Sequence, residues 1–173
     1  NLKIITQDHL PAVAMETGYY ISELHRPVFP FWSQNTESVN LLIAEVTPEK
    51  FYEIQPKLNW WSDDPIDVNK LDATLSRSTY KTTGASNQWR QHLVDPAQIL
   101  HRPVRSGMYY IEVSSKEVKK QSKTPHHRKS LVSFTDLGVV SKIANAHGMV
   151  WVTRLSTGES ISGAKVVIRN GLG

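Results

Sequence analysis

One passage, VWVTRLSTGESISGAKVVI at residues 150–168, constrains the fold more than any other. Its opening alternates, so that Met149, Trp151, Thr153 and Leu155 fall on one side. The run enters a Thr157-Gly158 turn, passes Ser162-Gly163-Ala164, and continues into a second apolar run at 164–168. A period of two specifies a pleated strand with one buried face, and glycine supplies the positive φ that tight turns require. Such a passage builds architecture and carries no reactive group. The same grammar recurs at 2–6, at 19–21 after Gly18, and at 131–135, where Val132 and Phe134 pair on one face. It also recurs at 108–113, which sets Tyr109, Ile111 and Val113 together. Residues 39–46, VNLLIAEV, form a near-continuous apolar run of strand length. Short strands between Gly, Pro and Ser punctuation predict an all-β chain built as an antiparallel β-sandwich.

Helical signals are scarce. Thr47 precedes Pro48 and Glu49, which is an N-cap, a proline at the first helical position and an acid in the first turn. They predict a short helix through Phe51 to Ile54, ended by Pro56, with a further turn or two at 67–75. The remainder of 57–106 reads as loop.

A boundary falls at Asp136-Leu137-Gly138. Residues 1–136 form one sandwich whose last two strands, MYYIEV and SLVSFTD, flank a basic loop. Residues 137–173, with VVSKI, MVWVTRL and AKVVIRN, supply the opening three strands of a second sandwich. Three strands in so few residues are marginal alone, so the second unit is expected to be incomplete and the chain a mature or excised piece of something longer.

Composition excludes several classes. With 39% hydrophobic and 9% aromatic residues the chain is too apolar for disorder, and its 173 residues can bury one core or two. It has no cysteine, which removes disulfides, thiolate zinc sites, thiol catalysis and iron–sulfur clusters. No run approaches the 18 apolar residues of a membrane-spanning helix. The net charge of +4 is concentrated in 116–130, where Lys116, Lys119, Lys120, Lys123, Arg128 and Lys129 face one acid, Glu117. This segment holds no aromatic residue to stack on bases, which argues against a nucleic-acid site, and it reads as a solvated hairpin loop ahead of an anionic-lipid patch or a protease-susceptible bait.

Candidate chemistry fails on spacing. His126-His127 points to opposite sides of an extended chain with no third ligand nearby, and the other histidines, at 9, 25, 92, 101 and 147, are scattered. Asp63, Asp64, Asp67 and Asp72 lack the glycine and closing glutamate of a calcium loop, and suit turns and caps. Ser156, Ser160 and Ser162 flank glycines, but GESISG is one residue too long for a nucleophile elbow and lies between strands. Trp32, Trp60, Trp61 and Trp89 are expected in a core or an interface before a ligand cleft.

Residues 131–171 resemble bacterial α2-macroglobulin-like proteins. The matching residues are Thr135-Asp136-Leu137-Gly138, Val150-Trp151-Val152-Thr153, Leu155, Thr157-Gly158, Gly163-Ala164 and Val166, with Ile161 as the apolar residue before Ser-Gly-Ala. The preceding part is similar more loosely, through 19–51 and a Gly-x-Tyr-x-Ile-x-Val strand at 107–113. The basic loop and the Trp60-Trp61 pair depart from the pattern. The resemblance implies fibronectin- or immunoglobulin-like macroglobulin domains from the N-terminal half of a protease-trapping protein. It implies a periplasmic location, with attachment to the inner membrane through a lipid outside these residues. Partners would be neighbouring domains of the parent chain and, through it, target proteases. No catalytic, cofactor-binding or metal-binding residue is assigned, and no cofactor is expected. The alternative is a β-sandwich binding module of an envelope or adhesin protein, marked by aromatic exposure at Trp60, Trp61 and Trp89.

Overall fold

A computed structural model describes residues 8–58, 66–71, 74–82, 87–118 and 127–168. Along the described chain run β1 (Ala12–Ala14), β2 (Gly18–Glu23), β3 (Phe29–Gln34), β4 (Ser38–Val46), α1 (Pro48–Ile54), β5 (Leu75–Lys81) and β6 (Arg90–Val94). There follow α2 (Pro96–Leu100), β7 (Gly107–Ser114), β8 (His127–Thr135), β9 (Leu137–Ile143) and β10 (Gly148–Arg154). Short 3-10 turns occupy Gln55–Lys57 and Val68–Leu71.

The strands form a five-stranded sheet ordered β2-β8-β7-β4-β5, a three-stranded sheet ordered β1-β3-β6, and a separate β9-β10 pair. The first two sheets enclose the main core. Val13, Phe29, Phe31 and Val94 from the small sheet meet Val39, Leu41, Ile43, Tyr109, Ile111, Val113, Val132 and Phe134 from the large one. The all-β sandwich expectation holds, with one addition. β2 lies parallel to β8, from Gly18 opposite Ser130 to Glu23 opposite Thr135, while every other strand pairing among the described residues is antiparallel. The long stretch of chain between these two strands frees them from the hairpin constraint that forces neighbours antiparallel.

The large sheet is also covered on its outer face. Alternate residues Ala44, Val46, Tyr110 and Leu131 pack there against Phe51 and Ile54 of α1 and against Ile66 and Leu71. This second layer explains why 39–46 reads as continuously apolar: a strand buried on both faces loses its polar alternation. The helix forms as its cap predicts. Thr47 is extended at φ −75° and ψ 161°, and its hydroxyl accepts from the Lys50 amide at 3.4 Å. α2 uses the same device, with Asp95 accepting from the Ala97 amide at 2.8 Å and Pro96 at the first position. It ends at His101 in the left-handed region, φ 53°.

Two expectations shift, and a third falls outside the described residues. The predicted strand at 164–168 does not form; these residues are exposed and irregular, with no neighbouring strand in the described chain to pair with. The basic segment does not stay a loop to residue 130, because β8 already begins at His127 and Lys129 and Ser130 are buried. Its only acid is employed structurally, since the Glu117 carboxylate accepts the Glu37 amide at 2.9 Å and the Ser38 amide at 3.3 Å. The opening strand expected at 2–6 lies outside the described residues.

Tyr109 is fully buried, and its hydroxyl bonds both backbone groups of Arg105, accepting the amide at 3.3 Å and donating to the carbonyl at 3.1 Å. This is the type of bond by which a tyrosine corner closes one end of an immunoglobulin-type sandwich.

Candidate functional site

Thr135-Asp136-Leu137-Gly138 and the turn after β10, far apart in the sequence, meet in a single clasp. Asp136 is the only residue between β8 and β9. Its Oδ1 accepts the Ser156 amide at 2.9 Å, and its Oδ2 accepts the Ser156 hydroxyl at 3.0 Å and the Arg154 guanidinium at 3.2 Å. Its carbonyl accepts the Leu155 amide at 2.7 Å. Desolvation pushes the carboxyl up, but the Ser156 amide and hydroxyl and the Arg154 guanidinium outweigh it and hold the group below the usual carboxylate range. On the other side, the Thr135 carbonyl accepts the Leu24 amide at 3.1 Å, which ties the clasp to the end of β2. Gly138 is required by space, since a Cβ there would stand 2.8 Å from Thr153 Oγ1 and 2.9 Å from a Leu155 methyl. Gly158, at φ +74°, closes the turn with its amide on the Arg154 carbonyl at 2.7 Å. The chain then returns beside β10, with Ser160 bridged to Thr153 and Trp151 Nε1 donating to Ser160 Oγ at 2.8 Å. Ser156 lies in the turn after β10, and Ser160 lies in the bridge to Thr153.

One contact has the geometry of a nucleophile and its base. Ser33 Oγ lies 2.9 Å from His92 Nε2. Both residues are buried in the sandwich, where the imidazole stacks on Phe31 at 4.7 Å and meets the edge of Tyr80 at 5.3 Å. Burial and the nearby Arg90 push the imidazole pKa down, which favours the neutral ring, and the tautomer sets which partner donates in the contact with Ser33. No carboxylate orients it among the described residues, and both side chains lie within the sandwich. The contact is a satisfied core pair.

The histidines do not converge. His9 bonds Gln34 at 2.8 Å, His25 pairs with Glu23 at 3.1 Å, and His127 holds Glu112 at 2.7 Å. Among the described residues no group of three or more His, Cys, Asp or Glu could hold a metal ion. Asp67 caps the turn it begins, accepting the Asn69 amide at 3.2 Å, while Asp63, Asp64, Asp72 and His126 lie outside the described residues. Trp60 and Trp61 lie outside them too, whereas Trp89 is half exposed and Trp32 partly buried. No helix among the described residues is long and apolar enough to cross a membrane.

Sequence reasoning missed a polar group on the outer face of the large sheet. The Glu112 carboxylate accepts from the Tyr110 hydroxyl at 2.7 Å and contacts His127 Nδ1 at 2.7 Å, with Lys129 opposite it in register. Burial, with the Glu112 charge beside it, drives the Tyr110 phenol far above its ordinary pKa. In the sequence Tyr110 and Glu112 precede the basic segment while His127 and Lys129 fall within it, and only pairing register joins them.

The described residues form an all-β, layered sandwich followed by the β9-β10 hairpin. No protein-family model and no curated protein matches the sequence. Solved structures do match. The chain is similar to native α2-macroglobulin of Escherichia coli spanning domains NIE-MG1, with a TM-score of 0.68 and 14% identity, over 90% of this chain and 75% of that one. It is also similar to the longer form spanning MG0-NIE-MG1, with a TM-score of 0.64 and 17% identity, over 91% of this chain. The chain spans half the length of that second structure. At these identities the likeness is one of fold.

Proposed function

We propose that this chain is a non-catalytic, structural part of a bacterial α2-macroglobulin-like protease inhibitor. Residues 1–136 would be one macroglobulin-like domain and 137–173 the opening of the next, with Asp136 setting the junction. Its role is to position neighbouring domains and to form part of the wall that a captured protease meets. The parent protein would act in the periplasm, held at the inner membrane by a lipid outside these residues. The observation that carries this reading is the fold likeness to the NIE-MG1 region over 90% of the chain. The clasp supports it, because it gives physical work to the residues that carry the sequence resemblance.

The test uses the full-length parent, incubated with a broad-specificity protease and separated by size exclusion. Each fraction is assayed on a small peptide substrate and on a large protein substrate. The expected result is protease co-eluting with the parent, active on the peptide and blocked on the protein. Free protease, equally active on both, would overturn the trapping role and favour the envelope-binding module.

A further inference from the structure

Among the described residues, the helix and turns that cover the outer face of the large sheet leave its other half open. There a cleft of about 530 Å³ is lined by Asn40, Leu42, Arg77, Thr79, Glu112 and Ser114. Register sets these six in two rows across three strands: Arg77, Leu42 and Glu112 in one, Thr79, Asn40 and Ser114 in the next. The volume falls within the range of small-molecule sites. Glu112 is already engaged by Tyr110 and His127 and faces Lys129, so it belongs to the floor. Arg77 is different. It is exposed on β5 and has no hydrogen bond or ion pair to any described residue. Thr79 donates to Asn40 Oδ1 at 3.4 Å, which leaves the Asn40 amide nitrogen to donate elsewhere. The Ser114 hydroxyl adds a further donor from β7. A guanidinium, an amide and a hydroxyl therefore project from three neighbouring strands around one apolar residue, Leu42.

A planar guanidinium beside neutral donors matches a carboxylate, which it can hold through two parallel bonds. We infer that this cleft binds a carboxylate-bearing ligand, with the carboxylate on Arg77, Asn40 and Ser114 and a short aliphatic stem over Leu42. The source is either a free dicarboxylate or a glutamate side chain presented by a peptide.

The experiment titrates the whole chain with glutarate, and separately with a glutamate-containing peptide, at constant ionic strength, following backbone amides by NMR. Saturable shifts confined to residues 40–42, 77–79 and 112–114 are expected. R77Q should weaken binding by about tenfold or more, the worth of one charged hydrogen-bonding partner. R77K, which keeps the charge and loses the fork, should fall between. K142Q, which removes an exposed charge from β9, should leave binding unchanged. Stronger shifts with the peptide than with glutarate identify a protein side chain as the ligand, and the reverse identifies the free acid; both support the site. Absence of saturable shifts with either probe, shifts centred elsewhere, or equal weakening by R77Q and K142Q would overturn the proposal.

Discussion

His92 shows how one side chain ties the core to pH. It is buried, stacked on Phe31 and hydrogen-bonded to Ser33 as a neutral ring. Its pKa is lowered in the fold, while in the unfolded chain it takes a proton near pH 6.5. Below that value the unfolded state binds more protons than the folded state, so stability is full at neutral pH and declines as the solution is acidified. Denaturant midpoints at pH 7.5 and 5.5 should differ by more in the wild type than in H92Q, which keeps a polar partner for Ser33 and cannot titrate. An equal pH difference in both proteins would show that His92 does not control this slope. Nothing local in the sequence marks His92 as a core residue, because its place depends on β6 pairing with β3 at Phe31. The same holds for Asn35 and Asn87, both at positive φ and bonded to each other at 2.6 and 2.9 Å across distant loops.

At the scale of elements, legibility follows locality. The Thr47-Pro48 cap was readable, and so in principle was Asp95-Pro96, which carries the same signature ahead of a helix of only five residues. Strands β4, β7, β8 and β10 were legible from apolar patterning. β3 was not, since FPFWSQ contains a proline and packs aromatics on both sides, and β5 was not, since LSRSTYK is an edge strand with a mostly polar surface. The caps yield a graded prediction. D95A should cost about 1 kcal/mol of stability, while T47A, whose cap bond is 3.4 Å against 2.8 Å, should cost about 0.5 kcal/mol. Denaturant unfolding of the two variants checks the order, and a larger loss in T47A would contradict it. Within the β9-β10 hairpin, G138A forces Thr153 or Leu155 to move and should destabilise the hairpin by about 1 kcal/mol, the low end of overpacking costs. G148A meets nothing nearer than the Lys142 carbonyl at 3.8 Å and should be tolerated better. Amide exchange at Val140 and Val152 reads both variants, and equal effects would remove the steric reason for Gly138.

At the scale of the whole molecule, the described chain divides its burial unevenly. The sandwich up to Thr135 holds two packed layers, one on each face of the large sheet. The hairpin beyond Asp136 leaves Val139, Val140, Ile143, Met149 and Trp151 more than half exposed. A two-stranded ribbon with so little covered area has little stability of its own. It is held at its base by Asp136 and the turn it anchors. The step from β8 to β9 at residue 136 was legible because the residues that mark it are local. The clasp was not, because it joins Asp136 to Ser156 through space.

Native-state hydrogen exchange on this chain tests that division most directly. Amides of β7 and β8, such as Ile111 and Leu131, should exchange only through global unfolding, while those of Val140 and Val152 should exchange at much lower free energy. D136A should accelerate the second set and the Ser156 amide and leave the first set unchanged. A single common exchange free energy for all strands, or a D136A effect spread equally over β7 and β9, would contradict a self-supporting sandwich joined by one clasp to a weakly stable hairpin.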